Sequence, residues 1–373
     1  MGNSPKPTGI YAVGTTTFTA KEERDEVLNP GTKRRISACI YYPVMKEAVN
    51  GLDKVQYMSR DMFKGLKATF KLPLNYDKET AAGHNISECY KDAPRIAGEK
   101  FPLIIFNHGY QSFREGNSYL CIELASHGYV VMTVGHPLEG VCTEYDDAAP
   151  TYGDKKLLKI ANRPMIPNIL ALNKLCKMKG TNTELTKEID KYQERFSRFL
   201  IKRLPEWEKD IYIALNHAKK NMGDMIDFDK GIGLTGHSFG GAVAYYLCMK
   251  DPQFKCGANI DGLLFGMYKD KVMDKPFLMI ACEDHEVLAA RVCSMHSAPA
   301  YKAVFRDMKH VGFSDMKFAI PKFMSGTTGK LDADLMHEKL CKCHLAFFDA
   351  HLKQNSDKVD VKSDDVIRFE AFA

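Results

Sequence analysis

The sequence lacks the features that would place a chain in a membrane, on a nucleic acid or around a structural metal. No run approaches the 18 or so uninterrupted apolar residues that a spanning helix needs. The opening Met1-Gly2-Asn3-Ser4-Pro5-Lys6 has no apolar core of a signal peptide, and Lys6 stands where a myristoylation signal carries a hydroxyl residue. An excess of one charge is missing too: 52 Lys and Arg against 47 Asp and Glu leave a formal charge of +5 over 373 residues. The basic residues are not gathered with aromatics into a stripe, so no nucleic-acid partner is expected. The 11 cysteines include no C-x-x-C pair. Cys39, Cys121, Cys248 and Cys282 lie inside apolar runs, where a thiol packs as a small hydrophobe. That pattern predicts a soluble, cytoplasmic chain rather than a secreted one, although a leader removed from a longer precursor would leave the same signature. Cys341-Lys342-Cys343-His344 falls in a helical run with Leu340, Leu345 and Phe347. It is read as packing, and neither a metal nor an organic cofactor is expected.

What is present is an ordinary globular composition, 45% hydrophobic and 27% charged, which suits one α/β domain over residues 1–373. Two β-rich segments, Ile10 to Phe18 and Arg35 to Val44, predict an antiparallel opening to a sheet. A helix is expected between Val55 and Lys71, then a polar loop to about Lys100. From Phe101 short apolar strands alternate with helices, which implies a mostly parallel central sheet with flanking helices and a site at the strands' carboxyl ends. The strand predictions are Leu103 to Phe106, Tyr129 to Val134, Ile232 to Leu234, Cys256 to Ile260, Phe277 to Ala281 and Ala303 to Phe305. One interval is too long for a simple crossover. Its Leu-, Lys- and Glu-rich stretch, Leu157 to Lys220, predicts two or three helices, a cap inserted at about 141–228. In that cap Lys155, Lys156, Lys159, Arg163, Lys174, Lys177 and Lys179 interleave with Leu157, Ile160, Ile166, Ile169 and Leu170. The pattern fits a solvated basic face over an apolar one, or a peripheral lipid contact.

The chemistry is concentrated in Gly233-Leu234-Thr235-Gly236-His237-Ser238-Phe239-Gly240-Gly241, a strand that breaks into G-x-S-x-G and then an apolar helix. That context is what a nucleophile elbow requires, so Ser238 is the candidate nucleophile. A serine hydroxyl needs a general base and an acid to orient it, in the chain order Ser, acid, His. His310 follows the Ala303 to Phe305 strand and is the expected base; His285 and His296 are weaker alternatives, while His344 and His351 fall on a helix. Two acids end strands, Asp261 and Asp284, and position alone does not choose between them. The oxyanion donors expected are the backbone N–H of Phe239, next to the nucleophile, and of Tyr110, in the loop Asn107-His108-Gly109-Tyr110. His237 is read as a packing residue.

The runs Pro102 to Gly109, Leu124 to Val131, Gly236 to Gly241 and Phe254 to Asp261, with Gly9 to Gly14 and Ile40 to Pro43, resemble the plasma-type platelet-activating factor acetylhydrolases. The resemblance implies an α/β-hydrolase fold and calcium-independent hydrolysis of short or oxidised acyl esters of phospholipids; the chain is read as a monomer that needs no cofactor. It favours Asp261 as the acid, His310 as the base, and Tyr110 and Phe239 as oxyanion donors. The chain departs from the family at Gly262-Leu263, where an aromatic follows the acid. Ala281-Cys282-Glu283-Asp284 is similar to the acid-bearing segment of bacterial cutinase-like polyester hydrolases, which keeps Asp284 open. A general carboxylesterase, lactone hydrolase or polyester hydrolase is the enzymatic alternative, and a non-catalytic binding module on the same fold the remote one.

Overall fold

Among the described residues eleven strands form one sheet, parallel in its middle, antiparallel at one edge and mixed at the other. They are seen in a computed structural model that describes residues 3–26, 29–161, 165–180, 182–264, 272–320 and 326–372. In chain order the strands are β1 Ala12–Glu26, β2 Asn29–Val44, β3 Lys54–Gln56, β4 Ile86–Lys91, β5 Phe101–Asn107 and β6 Val130–Val134. There follow the small pair β7 Cys142–Thr143 and β8 Thr151–Tyr152, then β9 Ile226–Gly236, β10 Phe254–Ile260, β11 Phe277–Cys282, β12 Ala300–Phe305 and β13 Ile367–Phe372. The large sheet runs β13-β12-β11-β10-β9-β5-β6-β2-β1-β4-β3. β5 and β6 are buried at every residue, which is why their sequences read as unbroken apolar runs: a parallel strand is covered on both faces.

The helices are α1 Arg60–Phe70, α2 Tyr76–Ala81, α3 Ser118–Ser126, α4 Lys155–Ala161, α5 Met165–Cys176, α6 Asn182–Phe196, α7 Arg198–Asn221, α8 Phe239–Lys250, α9 Glu286–Cys293, α10 Met316–Ala319 and α11 Ala333–Phe348. Side chains alternate across each strand, so Leu103 and Ile105 join α7 and α8 in one core while Ile104 and Phe106 join α3 and α11 in the other. No helix among the described residues is long and apolar enough to cross a membrane.

The structure departs from the sequence-based elements in several places. The expected helix at Val55 starts only at Arg60, because Lys54–Gln56 pairs with β4 and Ser59 caps the helix by accepting the Met62 N–H at 3.0 Å. The expected loop to Lys100 holds α2 and β4, whose buried Ser87 and Cys89 alternate with more exposed neighbours. β13 was not anticipated; it closes the far edge against β12. The stretch expected to hold two or three helices holds α4 to α7. The last of these buries Leu204, Trp207, Ile211, Ala214 and Ala218 directly under the sheet, a stripe at helical spacing. α5 packs on α6, on α9 and on the turn Glu283–His285, while α4 and α6 pack on α7. Arg163 lies outside the described residues.

Candidate active site

β9 ends at Gly236 and α8 begins at Phe239, leaving two residues to turn the chain. Ser238 makes that turn at φ 56° and ψ −120°, a conformation that strains any residue with a Cβ. Two glycines make it feasible: a Cβ at Gly236 would lie 2.4 Å from the Gly240 carbonyl carbon, and one at Gly240 would lie 2.0 Å from the Asn107 oxygen. The turn is tied to both neighbouring strands, His237 N–H donating to Asn107 O at 3.1 Å and Ser238 N–H to Ile260 O at 2.8 Å. The serine hydroxyl therefore stands at the carboxyl edge of the sheet, between the ends of β5 and β10.

Asp261 follows the last residue of β10, with φ 57° and its N–H on Ile280 O at 2.7 Å. Its side chain is fully buried. Oδ1 accepts the Cys282 N–H at 2.9 Å, and Oδ2 accepts from His310 Nδ1 at 2.7 Å. A carboxylate only accepts, so Nδ1 of His310 carries the proton and Nε2 is left to receive one. Nε2 lies 2.8 Å from Ser238 Oγ. The base is held from behind as well: His237 Nε2 donates to the His310 carbonyl oxygen at 2.9 Å. Burial alone would raise the Asp261 carboxyl, but the charge and hydrogen bond of His285, then those of His310, outweigh it and hold the group ionised well below the usual carboxylate range. Burial, with His310 alongside, pushes His237 down to about 3, so it stays neutral beside the base.

The loop after β5 passes over the serine. A Cβ at Gly109 would lie 3.2 Å from Ser238 Cβ, an approach only glycine makes without strain. The loop's own bonds run from Ser112 N–H to Gly109 O and from Gln111 N–H to Glu139 O, both 2.9 Å, and leave out the Tyr110 N–H. Tyr110 is fixed by its ring, stacked on Trp207 at 6.2 Å and edge-on to Phe239 at 6.0 Å. Beneath it a buried ionic network stiffens the loop. Arg203 grips Glu139 with two bonds of 2.8 Å, and Trp207 Nε1 donates to the same carboxylate at 3.1 Å. His136 stacks on Trp207 at 3.5 Å and bonds Asp210 at 2.9 Å, and Arg34 pairs with Asp210. Buried charges persist when paired and hydrogen-bonded in this way.

A strained serine, an imidazole on its hydroxyl and a buried carboxylate behind that imidazole stand in series, an arrangement with the chemistry to serve as nucleophile, base and orienter. The family model described as "Platelet-activating factor acetylhydrolase, isoform II" matches residues 2–366. The chain belongs to the platelet-activating factor acetylhydrolase family. Within this esterase family, the platelet-activating factor acetylhydrolases of dog (Canis lupus familiaris) and cattle (Bos taurus) are each 26% identical to it, with 95% of this chain and 78% of theirs covered. Among solved structures, a ferulic acid esterase from Streptomyces cinnamoneus matches with a TM-score of 0.66 at 19% identity, over 97% of both chains. That likeness shows the fold, the α/β-hydrolase fold.

In this acetylhydrolase-family chain Ser238, His310 and Asp261 come together, and Phe239 and Tyr110 flank the serine. Asp284, the other acid, does not join them. It is exposed one turn away, its Oδ2 on Lys309 Nζ at 2.6 Å, because the chain after β11 turns outward into the short helical turn Glu283–His285. His296 bonds Tyr245 Oη at 3.2 Å, and His344 bonds Thr235 Oγ1 at 3.1 Å and the Leu340 carbonyl at 2.8 Å. Both are tied into the core away from the serine. His285, a weaker alternative for the base, bonds the carboxylate rather than the serine, its Nδ1 3.0 Å from Asp261 Oδ2. Among the described residues Asp261, His285 and His310 alone bring three donor atoms within 4.8 Å of one another; the contacts between them are hydrogen bonds of the relay itself. The sequence reading missed the role of His237, whose bond to the His310 carbonyl joins the elbow to the base loop across 73 positions.

Proposed function

We propose that this chain is a serine esterase that works through an acyl-enzyme. The unbroken series Ser238 Oγ, His310 Nε2 and Nδ1, Asp261 Oδ2, with contacts of 2.8 and 2.7 Å, carries the reading. His310 takes the Ser238 proton as Oγ bonds to the ester carbonyl carbon, and the carbonyl oxygen becomes an oxyanion facing the Tyr110 and Phe239 N–H groups. Collapse expels the alcohol, which leaves with the proton held on His310 Nε2. Water then gives a proton to His310 and its oxygen to the acyl carbon, and Ser238 recovers its proton as the carboxylic acid departs. Asp261 keeps His310 in the tautomer this needs throughout.

The substrate class we assign is a short or oxidised acyl ester of a phospholipid-like alcohol, on the strength of the family and of relatives named for platelet-activating factor. The exposed side chains of the cap support a lipid-facing site: Ile166 and Leu170 of α5 are 68% and 64% exposed, and Lys155, Lys156 and Lys159 of α4 and Lys174 of α5 are exposed as well. Labelling with a fluorophosphonate probe tests the nucleophile: wild type reacts and Ser238→Ala does not. A panel of p-nitrophenyl esters and glycerophospholipids of graded acyl length tests the substrate. Turnover of the simple esters with none of the phospholipids would leave a general carboxylesterase and sink the lipid assignment.

A further inference from the structure

The carbonyl of Gly109 and the N–H of Tyr110 belong to one peptide unit, and in a trans peptide the two point in opposite directions. Whatever holds the Gly109 oxygen therefore aims the Tyr110 N–H. Two donors hold it, the Ser112 N–H at 2.9 Å and His108 Nδ1 at 2.8 Å. Together they occupy both lone pairs of that oxygen. The first bond closes the loop on itself, while the second comes from a fully buried imidazole that is 1% exposed. The unit so held lies beside the nucleophile, since a Cβ at Gly109 would be 3.2 Å from Ser238 Cβ.

The His108 ring is fixed in one tautomer and one orientation. Gly109 O can only accept, so Nδ1 carries the proton; Nε2 is bare and accepts the backbone N–H of His136 at 3.3 Å. The ring meets His136 and Trp207 edge-on, with centroids 5.2 Å away in each case. His136 is itself held by stacking on Trp207 at 3.5 Å and by Asp210 at 2.9 Å. The loop after β6 also supports its neighbour directly, with Gln111 N–H on the Glu139 oxygen at 2.9 Å and Val141 N–H on the Ser112 oxygen at 2.8 Å. A run of contacts thus leads from the buried Asp210 through His136 and His108 to the Gly109 carbonyl.

We propose that His108 is a positioning residue of the esterase: its Nδ1–H holds the Gly109 carbonyl so that the Tyr110 N–H of the same peptide unit faces the oxyanion formed on the ester carbonyl. The inference rests on the serine-esterase reading above. Its physical basis is preorganisation. A peptide unit held by Ser112 alone can rock about its chain axis, and part of the stabilisation of the oxyanion is then spent on realigning the donor. His108 removes that freedom before the substrate arrives. Both of its nitrogens are engaged, so it takes no part in the proton transfers that run through His310.

The test compares wild type, His108→Leu and His108→Asn on p-nitrophenyl acetate and on its thionoester, in which sulfur replaces the carbonyl oxygen. Leucine fills the space without a donor, whereas asparagine can present an N–H where Nδ1 stood. In His108→Leu, kcat on the oxygen ester is expected to fall about 10- to 100-fold with KM unchanged, less than the roughly 10²–10³-fold cost of losing a whole oxyanion donor. Sulfur is a weak acceptor and gains little from the N–H, so turnover of the thionoester falls less. His108→Asn recovers most of the kcat on the oxygen ester. Equal losses on the two esters, or no recovery with asparagine, would mean that His108 only packs and would overturn the proposal. Nitrogen-15 spectra of histidine-labelled wild type need no variant: the geometry requires the His108 proton on Nδ1, and a proton on Nε2 instead would overturn it as well. If wild type neither labels with fluorophosphonate nor hydrolyses esters, the esterase reading fails, while the spectra still report where His108 carries its proton.

Discussion

Gly262 and Ser238 meet through their backbones: a Cβ at position 262 would lie 2.0 Å from the Ser238 carbonyl oxygen. The chain reaches this contact because Asn259 folds it back, accepting the Gly262 N–H at 2.7 Å and donating to the Gly262 oxygen at 3.1 Å. The residue after Asp261 is thereby pressed against the elbow, and only glycine fits there without displacing it. Gly262→Ala is expected to push the elbow off its strained geometry. Overpacking of this kind costs about 1–3 kcal/mol, and the hydroxyl no longer meets His310 Nε2 at bonding distance. Thermal melts and ester turnover check it: a lower Tm with at least a tenfold drop in kcat is expected, and a kcat within twofold of wild type would contradict the argument.

The two acids that the sequence left open separate cleanly by environment. Asp261 is buried between two imidazoles, whereas Asp284 is exposed on Lys309. Asp261→Asn offers an amide where His310 Nδ1 needs an acceptor, which favours the wrong tautomer, a change that costs about 10⁴-fold in kcat in serine hydrolases built on the same relay. Asp284→Asn removes only a surface ion pair, worth at most about 1 kcal/mol, and turnover within twofold of wild type is expected. Parallel kinetics of the two variants decide it; equal losses would mean that neither acid orients the base alone.

Much of this site was legible before any coordinates because its determinants are local. Gly236, Ser238 and Gly240 are spaced by the turn itself, and the strand before and the helix after them announce themselves as apolar runs. His310 could be placed because it lies in the short loop after a strand. What was hidden depends on contacts between distant segments. Asp261 and Asp284 both end strands, and only the outward turn at Glu283 removes the second from the site. His285 and His237 act through bonds that span 24 and 73 positions, which no spacing rule encodes. The reach of the cap was hard to read for a similar reason: α7 continues the Leu-, Lys- and Glu-rich stretch that holds α4 to α6, and the sheet it covers sets it apart from them. β13 is a short, half-exposed edge strand, so its sequence lacks the apolar run that marks the central ones.

The exposed face of the cap leads to a binding experiment. Ile169, 51% exposed, lies at helical spacing from Ile166 and next to Leu170 on α5, and apolar side chains so placed one turn from Lys174 suit an anionic lipid surface. Sedimentation with vesicles of phosphatidylcholine containing phosphatidylserine is expected to carry down wild type more than Ile166→Ser/Leu170→Ser. Hydrolysis of a soluble p-nitrophenyl ester should be the same for both. Equal sedimentation of the two proteins would remove the lipid role from this face.

Asp315 couples the base loop to the rest of the molecule, and its ionisation gives stability a pH dependence. It lies two residues past the His310–Phe313 turn, and its Oδ2 accepts the Ser118 hydroxyl at 3.0 Å and the Tyr119 N–H at 3.2 Å, at the start of α3. Burial raises the carboxyl to about 7, against the hydrogen bonds from Tyr119 and Ser118, which favour the ionised form. Because the folded state holds this proton more tightly than the unfolded chain, the contribution is full below the ordinary carboxylate value near 4, declines as pH rises toward about 7, and is lost above it. Asparagine cannot ionise and keeps an acceptor for both donors. Asp315→Asn should therefore gain Tm over wild type at pH 8.5, with the gain shrinking by pH 4.5. Paired melts at the two pH values isolate this group from every other titration, since all the rest are common to both proteins. A Tm difference that does not change with pH would mean that Asp315 is ionised in the fold throughout, held by its bonds to α3 rather than neutralised by burial.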